Sequence, residues 1–260
     1  TLFLRMQLNF QGLTDGEFSM NDATFDEEQC VAGMRERRFM TGVANYHIYK
    51  AEIHALYGDW EGAPPHVEDM DRLIASAMSL PQLVRYRIVA FLVRAALYHT
   101  LPVDAQALER TRLETHLAQM AAWAPNCPDN FEHLRLTMEA ELARLDGRVS
   151  EAPALYERAI AAANGSGFQR HEAVANELAA RLLNQVGAPR AAEGYLLAAR
   201  HLYEQWGAAR KVAQHDREYP ELQAAARGLS NAARAVAIPA QGRPYNGRHP
   251  LACARCRLHP

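Results

Sequence analysis

Three glycines with matching neighbours constrain this chain more than any other feature. Seven residues before Gly58, Gly147 and Gly187 stand Ala51, Ala140 and Ala180. Five residues after stand Ala63, Ala152 and Ala192, and nine after stand Val67, Tyr156 and Leu196. Twelve after stand Met70, Ala159 and Ala199. Each glycine closes a stretch whose apolar residues recur at helical spacing, as a C-terminal glycine does. Two antiparallel helices approach closely only where small side chains meet, and a large one fills the hole beside them. The pattern therefore predicts helix pairs that pack and stack as repeats. Gly147 and Gly187 stand 40 residues apart, and Gly58 and Gly147 stand 89 apart. The longer gap has room for a degenerate unit, with helices over Gln82 to Tyr98 and Val103 to Ala122 turned at Thr100-Leu101-Pro102.

The rest of the chain supports helices over strands. Leu134, Met138, Glu139, Leu142 and Leu145 form one helical ladder, and Leu178, Leu182, Leu183 and Val186 another. Alanine is abundant in these stretches, and it favours helix and allows close packing. Thr24 with Glu27 reads as a capping box opening a helix through Arg38. Pro189 suits the first turn of a helix after Gly187. Pro64-Pro65 falls where a helix follows Gly58, so that helix either starts at Pro64 or kinks there. The N-terminal unit is therefore expected to be the least regular. The small, bulky and small positions match the tetratricopeptide consensus, although the spacing exceeds its usual period of about 34 residues. The expected fold is all-α: a tetratricopeptide-like, right-handed superhelical array of antiparallel pairs, with about ten helices joined by short turns. This domain is expected over 1–222. The stretch 223–260 is rich in proline, glycine and arginine. It reads as a linker or disordered tail, and its abrupt composition also fits an aberrant end.

Composition narrows function mainly by exclusion. The 260 residues are 49% hydrophobic, enough for a sizeable core. Lys+Arg 28 against Asp+Glu 30 gives no overall field drawing the chain to nucleic acid or anionic membrane. The most apolar run, Ile88 to Val93, is closed by Arg87 and Arg94, well short of the ~20 residues that span a bilayer. Four scattered cysteines suit a reducing cytoplasm rather than a disulfide framework. Thr1 opens inside an amphipathic pattern, so the chain reads as a fragment of a longer one.

Chemistry-bearing motifs are sparse. Cys253-Ala-Arg-Cys256, with His249 and His259, could hold zinc, but it has no second knuckle and no core around it. His171-Glu172 begins like a zinc-protease motif, yet position 175 is Ala. Gly165-Ser166-Gly167 lacks the lysine of a phosphate loop and reads as an interhelical turn. Kinase signatures and a GxSxG elbow are absent, so no catalytic residue is assigned and no cofactor or metal is expected. Trp60, Trp123, Trp206, Tyr156, Tyr195 and Tyr203 read as packing residues before they read as a ligand cage. Arg35, Arg37 and Arg38, matched by Glu27, Glu28 and Glu36, read as a solvated face. The architecture itself implies one site, a concave surface lined by the first helix of each pair. Asn45, Glu52, Glu141, Arg144, Glu177, Arg181 and Asn184 project there and could hydrogen-bond a protein or peptide. Alternatively they face water or a neighbouring domain.

From Trp123 onward the residues carry a more specific resemblance. They include Trp123-Ala124-Pro125, Asn130-Phe131, Glu139-Ala140-Glu141, Ala143-Arg144 and Gly147. Gly167-Phe168, Ala175-Asn176-Glu177-Leu178-Ala179-Ala180, Trp206-Gly207-Ala208, Lys211-Val212 and Tyr219-Pro220 continue it. The chain resembles the helical-repeat region of large bacterial signalling proteins that combine a serine/threonine kinase, a predicted AAA-type ATPase, GAF and histidine kinase domains. Tyr49-Lys50-Ala51, Leu56-Tyr57-Gly58-Asp59 and Phe25-Asp26-Glu27-Glu28 fit the same region. The resemblance runs over Leu2 to Leu222, and it is specific over Trp123 to Pro220. Pro64-Pro65 and Cys127-Pro128 depart from it. It implies a non-catalytic, cytoplasmic scaffold segment contacting a protein, a peptide or the neighbouring domains of its parent chain. The repeat arm of an ATP-dependent transcriptional regulator is an alternative. A small zinc-binding protein using the C-terminal CxxC is another.

Overall fold

The computed structural model describes residues 1–77 and 81–222. Among them are eleven α-helices and no strand. In chain order these are α1 (Leu2–Phe10), α2 (Glu27–Glu36), α3 (Met40–Tyr57), α4 (Ala63–Leu73), α5 (Gln82–Leu97) and α6 (Val103–Trp123). Then come α7 (Pro128–Leu145), α8 (Ala152–Gly165), α9 (Gln169–Gln185), α10 (Pro189–Trp206) and α11 (Ala209–Glu218). The Cys253–Cys256 motif and the expected tail lie outside the described residues.

The glycine-anchored pattern matches the packing. Ala51, Ala140 and Ala180, then Ala63, Ala152 and Ala192, are fully buried, and Val67, Tyr156 and Leu196 are nearly so. Met70, Ala159 and Ala199 are fully buried too. They sit where α3 meets α4, α7 meets α8 and α9 meets α10. Gly58, Gly147 and Gly187 adopt φ of 75°, 70° and 77°. At Gly147 its N–H donates to Arg144 O (3.1 Å) and the Arg148 N–H to Ala143 O (2.8 Å), the doubly bonded end that a left-handed residue permits. Gly187 repeats it, with 3.2 Å to Asn184 O and 2.8 Å from Ala188 to Leu183 O.

The helices interlock in a fixed order. Each odd helix from α3 packs on the even helix that follows it, and each even helix packs on the next odd one. The odd helices α3, α5, α7 and α9 also pack successively on one another, so they form one inner layer. The row then curls until its ends meet, with α11 touching both α3 and α1. The Gln214 amide donates to Tyr57 O (2.9 Å), and Arg210 donates to Thr14 Oγ1 (3.0 Å) and Thr14 O (2.7 Å). The Phe10 ring lies 5.1 Å from Trp206. Asn9, fully buried, fastens the loop after α1 by donating to the carbonyls of Gly16, Glu17 and Ser19.

Several local expectations resolve. Pro64 and Pro65 fall in the first turn of α4, where a missing N–H costs nothing, so that helix is not broken. Pro189 opens α10. The degenerate unit is α5 and α6, at nearly the expected bounds. Two readings are corrected. Asp26, not Thr24, caps α2, because its carboxylate accepts from the Gln29 N–H (2.8 Å). The Thr24 hydroxyl is instead held between Asp22 Oδ1 (2.7 Å) and Arg5 (3.1 Å). The helix ends at Glu36, and Arg38 turns left-handed with φ 56°. Glu27 does not belong to a solvated face: it is buried and accepts from Lys50 Nζ (3.2 Å).

Candidate ligand cavity

The inner helices leave space between them. Each presents a stripe at helical spacing: Glu52, Ala55 and Leu56 on α3, and Val89, Leu92 and Ala96 on α5. Leu134, Thr137 and Glu141 come from α7, and Arg170, Val174, Glu177, Leu178 and Arg181 from α9. Because the layer curls, these stripes face one another around a cavity of about 80 Å³. One water needs about 10–15 Å³ by such a measure, so the space suits several waters or a small ligand, not a helix or an extended peptide. A second space of about 460 Å³ shares Glu177 and Arg181 with the first, and reaches Tyr57, Asn184, Gln185, Gln214 and Glu218.

Of the seven expected groove residues, the structure brings Glu52, Glu141, Glu177 and Arg181 to the cavity wall. Asn184 is exposed and lines only the outer space. Asn45 and Arg144 line neither. Arg144 is directed into the structure, donating to Glu141 Oε2 (2.7 Å) and Ala95 O (3.1 Å). Trp60 and Tyr203 pack in or on the main core, as expected, and also line the cavity. Sequence reasoning missed Arg170 and weighed His171 only as the start of a zinc-protease motif. Arg170 stands four residues and His171 three before Val174, and the same spacing recurs at Glu177, Leu178 and Arg181, which is the signal that could have placed Arg170 on the inner face.

Each carboxylate on the wall is held by cations. Glu141 takes Arg144 and the hydroxyl of buried Tyr156. Glu177 accepts from Lys211 Nζ (3.0 Å) and Tyr203 Oη (2.7 Å), and Arg181 stands 3.6 Å away. Burial raises the Glu177 carboxyl, but Lys211, Arg181 and the Tyr203 hydroxyl together hold it below its ordinary value. Glu52 is shared by two guanidiniums, Arg85 and Arg170. Desolvation lowers both, Arg170 to about 10. Arg181 also lies over the Trp60 ring, 5.3 Å from its centroid, joining α9 to the end of α3.

The neighbouring histidines are neutral. Arg170 Nη2 lies 2.8 Å from His171 Nε2, so that nitrogen accepts, and His171 Nδ1 carries the proton it gives to His133 Nε2 at 2.8 Å. Desolvation, then the positive charge of Arg170, holds His171 well below its ordinary value. Burial lowers His133 to about 4. Phe168 stacks on His133 at 4.5 Å. No group of three or more metal-ligating side chains is positioned to hold an ion among the described residues. No described helix is long and apolar enough to cross a membrane.

Comparisons with known proteins add little to this geometry. No protein-family model matches the chain, and no solved structure matches it. A stretch of 55 residues is 40% identical to part of the hybrid signal transduction histidine kinase G of Dictyostelium discoideum. That stretch is 21% of this chain and spans 2% of the kinase.

Proposed function

We propose that the chain is a tetratricopeptide-like helical-repeat segment, without catalysis of its own, in a bacterial signal-transduction protein carrying kinase and ATPase domains. In this reading it mediates interdomain or protein–protein contact and works in the cytoplasm. The alternating packing of odd and even helices, built on small residues at matched offsets, is the observation that carries it. Such packing makes a regular framework whose outer surface is available to partners. The resemblance of Trp123 to Pro220 to the repeat region of those signalling proteins supports it. The short likeness to a histidine kinase fits a signalling setting.

The contact surface in this reading is the outer space beside α9 and α11, where exposed Asn184 and Gln185 lie close to Arg181, Gln214 and Glu218. Reversing Arg144 is a poor probe of it, because a glutamate there would face buried Glu141. The double substitution Asn184→Glu with Gln185→Glu alters exposed positions only. The open reading frame around this chain is expected to encode a kinase or ATPase domain. Titration of that purified domain with the chain is expected to give saturable binding that the double substitution weakens. A frame with neither domain, or binding indifferent to the double substitution, contradicts the reading.

A further inference from the structure

The buried charges around the inner cavity do not balance. Glu141 is matched by Arg144. Glu177 is matched by Lys211, with Arg181 beside it but partly open to the outer space. Glu52 alone answers both Arg85 and Arg170. The two arginine side chains are only 22% and 19% exposed, so solvent does little to screen the extra charge. No histidine adds a negative partner, and His171 is itself a neutral acceptor of the Arg170 guanidinium. Residues 78–80 and 223–260 contain no Asp or Glu, so no acidic side chain from them can supply the missing charge. Two desolvated guanidiniums that share one carboxylate are only partly compensated, and a further anion would complete the balance. A guanidinium, with five donors in a fixed plane, is the side chain best shaped to meet a carboxylate.

Most of the remaining wall surface is apolar, and the carboxylates of Glu141 and Glu177 that reach it are engaged by Arg144 and Lys211. Leu56, Trp60, Val89, Leu92, Val174 and Leu178 surround the space beyond Arg170. A cavity with one cationic end and an apolar body is complementary to a small amphipathic anion. Its volume limits that anion to a handful of heavy atoms.

We propose that the cavity between the inner helices binds a small monocarboxylate with an apolar body, its carboxylate on Arg170 and its chain among Leu56, Trp60, Leu92 and Val174. The site joins α3, α5 and α9, so an occupant ties the ends of the curled row to its middle. Desolvation lowers Arg170, and a bound carboxylate would offset that. The inference goes beyond the scaffold reading and stands whether or not a parent kinase exists.

The test uses the 260-residue chain and three probes with one body: pentanoate, 1-pentanol and pentylamine. Calorimetric titration and thermal denaturation at pH 7.5 are expected to show saturable, one-to-one binding of pentanoate and a raised melting midpoint. Pentylamine is expected to bind about ten-fold more weakly or worse, since it would place a second cation against Arg170. Arg170→Gln is expected to lose the preference for pentanoate over 1-pentanol. Val174→Phe, which fills the space from its apolar side, is expected to lose both. Absence of pentanoate binding, pentylamine binding as tightly, or pentanoate binding unchanged in Val174→Phe overturns the proposal. If either variant does not fold, pentanoate against pentylamine on the unaltered chain decides alone.

Discussion

The two halves of the molecule reach the same helical packing by different chemistry. From α7 onward the turn glycines Gly147, Gly167, Gly187 and Gly207 recur every 20 residues, each with φ between 70° and 84°. Between them the contacts are made largely by alanine, tyrosine and leucine: Ala140, Ala143, Ala152, Tyr156, Ala179 and Leu182 form one cluster. The half from α1 to α6 has no such pitch, and buried polar contacts, present at Glu141 and Glu177 in the other half too, are many here. Lys50 joins Glu27, His47 lies 3.0 Å from His66, and His54 lies 2.8 Å from Asp59. Arg94 bridges Asp71, Glu109 (3.0 Å) and His116 (3.1 Å). A repeat stays visible in sequence where small side chains set the helix spacing. It fades where paired polar groups set it, because any two complementary partners can serve.

That contrast can be broken most strongly with acid. Burial, followed by the charges of His47, His54 and Lys50, lowers His66 to about 3, and burial with Arg94 and Arg87 lowers His116 to about 3. His133 is lowered to about 4 by burial. The unfolded chain takes up these protons below about pH 6.5, and the folded protein does not until much lower pH. Stability is therefore full above about pH 6.5 and is lost as pH falls toward 4. Each such histidine contributes a slope of about 1.4 kcal/mol per pH unit. Against a total of about 5–15 kcal/mol, the protein is expected to unfold before pH 4. Urea midpoints across pH 7.5 to 4 check this, and a midpoint flat over that range contradicts it.

Next in size is the loss of Glu52. Glu52→Ala leaves Arg85 and Arg170 without their shared carboxylate and is expected to cost about 3–5 kcal/mol, read as a lowered urea midpoint. A smaller effect is expected in the regular half. Ala180, fully buried where α9 meets α10, has no room for a larger side chain, so Ala180→Leu is expected to overpack the pair at about 1–3 kcal/mol. Hydrogen exchange sharpens the comparison. Ala180→Leu is expected to lower protection first in α9 and α10, and Glu52→Ala in α3, α5 and α9.

Much of the helical frame was legible in the chain. The offsets from Gly58, Gly147 and Gly187 located three helix pairs, because close approach admits few side chains at those points. The α5 and α6 unit followed from its proline turn. The left-handed glycines at 167 and 207 add a finer 20-residue step that the offsets from Gly58, Gly147 and Gly187 do not contain. Thr24 misled because a hydroxyl three residues before a glutamate has other uses, here between Asp22 and Arg5. The site was half legible. Helical phase put Glu52, Glu141, Glu177 and Arg181 on the inner side, but it cannot tell a long groove from a small, partly open cavity. Closure depends on small rotations summed over successive helices and on contacts such as Arg210 to Thr14, 196 residues apart, which no local periodicity encodes. Arg144 shares its helix with Glu141, yet it turns to Glu141 and the Ala95 carbonyl rather than to the cavity.

The inner layer curls until α11 meets α3, and the placement of both spaces depends on that closure. The most direct measurement is a spin–spin distance between site-specific labels at Glu61, just after α3, and Ala213 on α11, both exposed. The closed arrangement gives one population within about 20 Å, two helix spacings. An open row would place α11 four spacings from α3, about 30–40 Å away, and a distribution centred there contradicts the account.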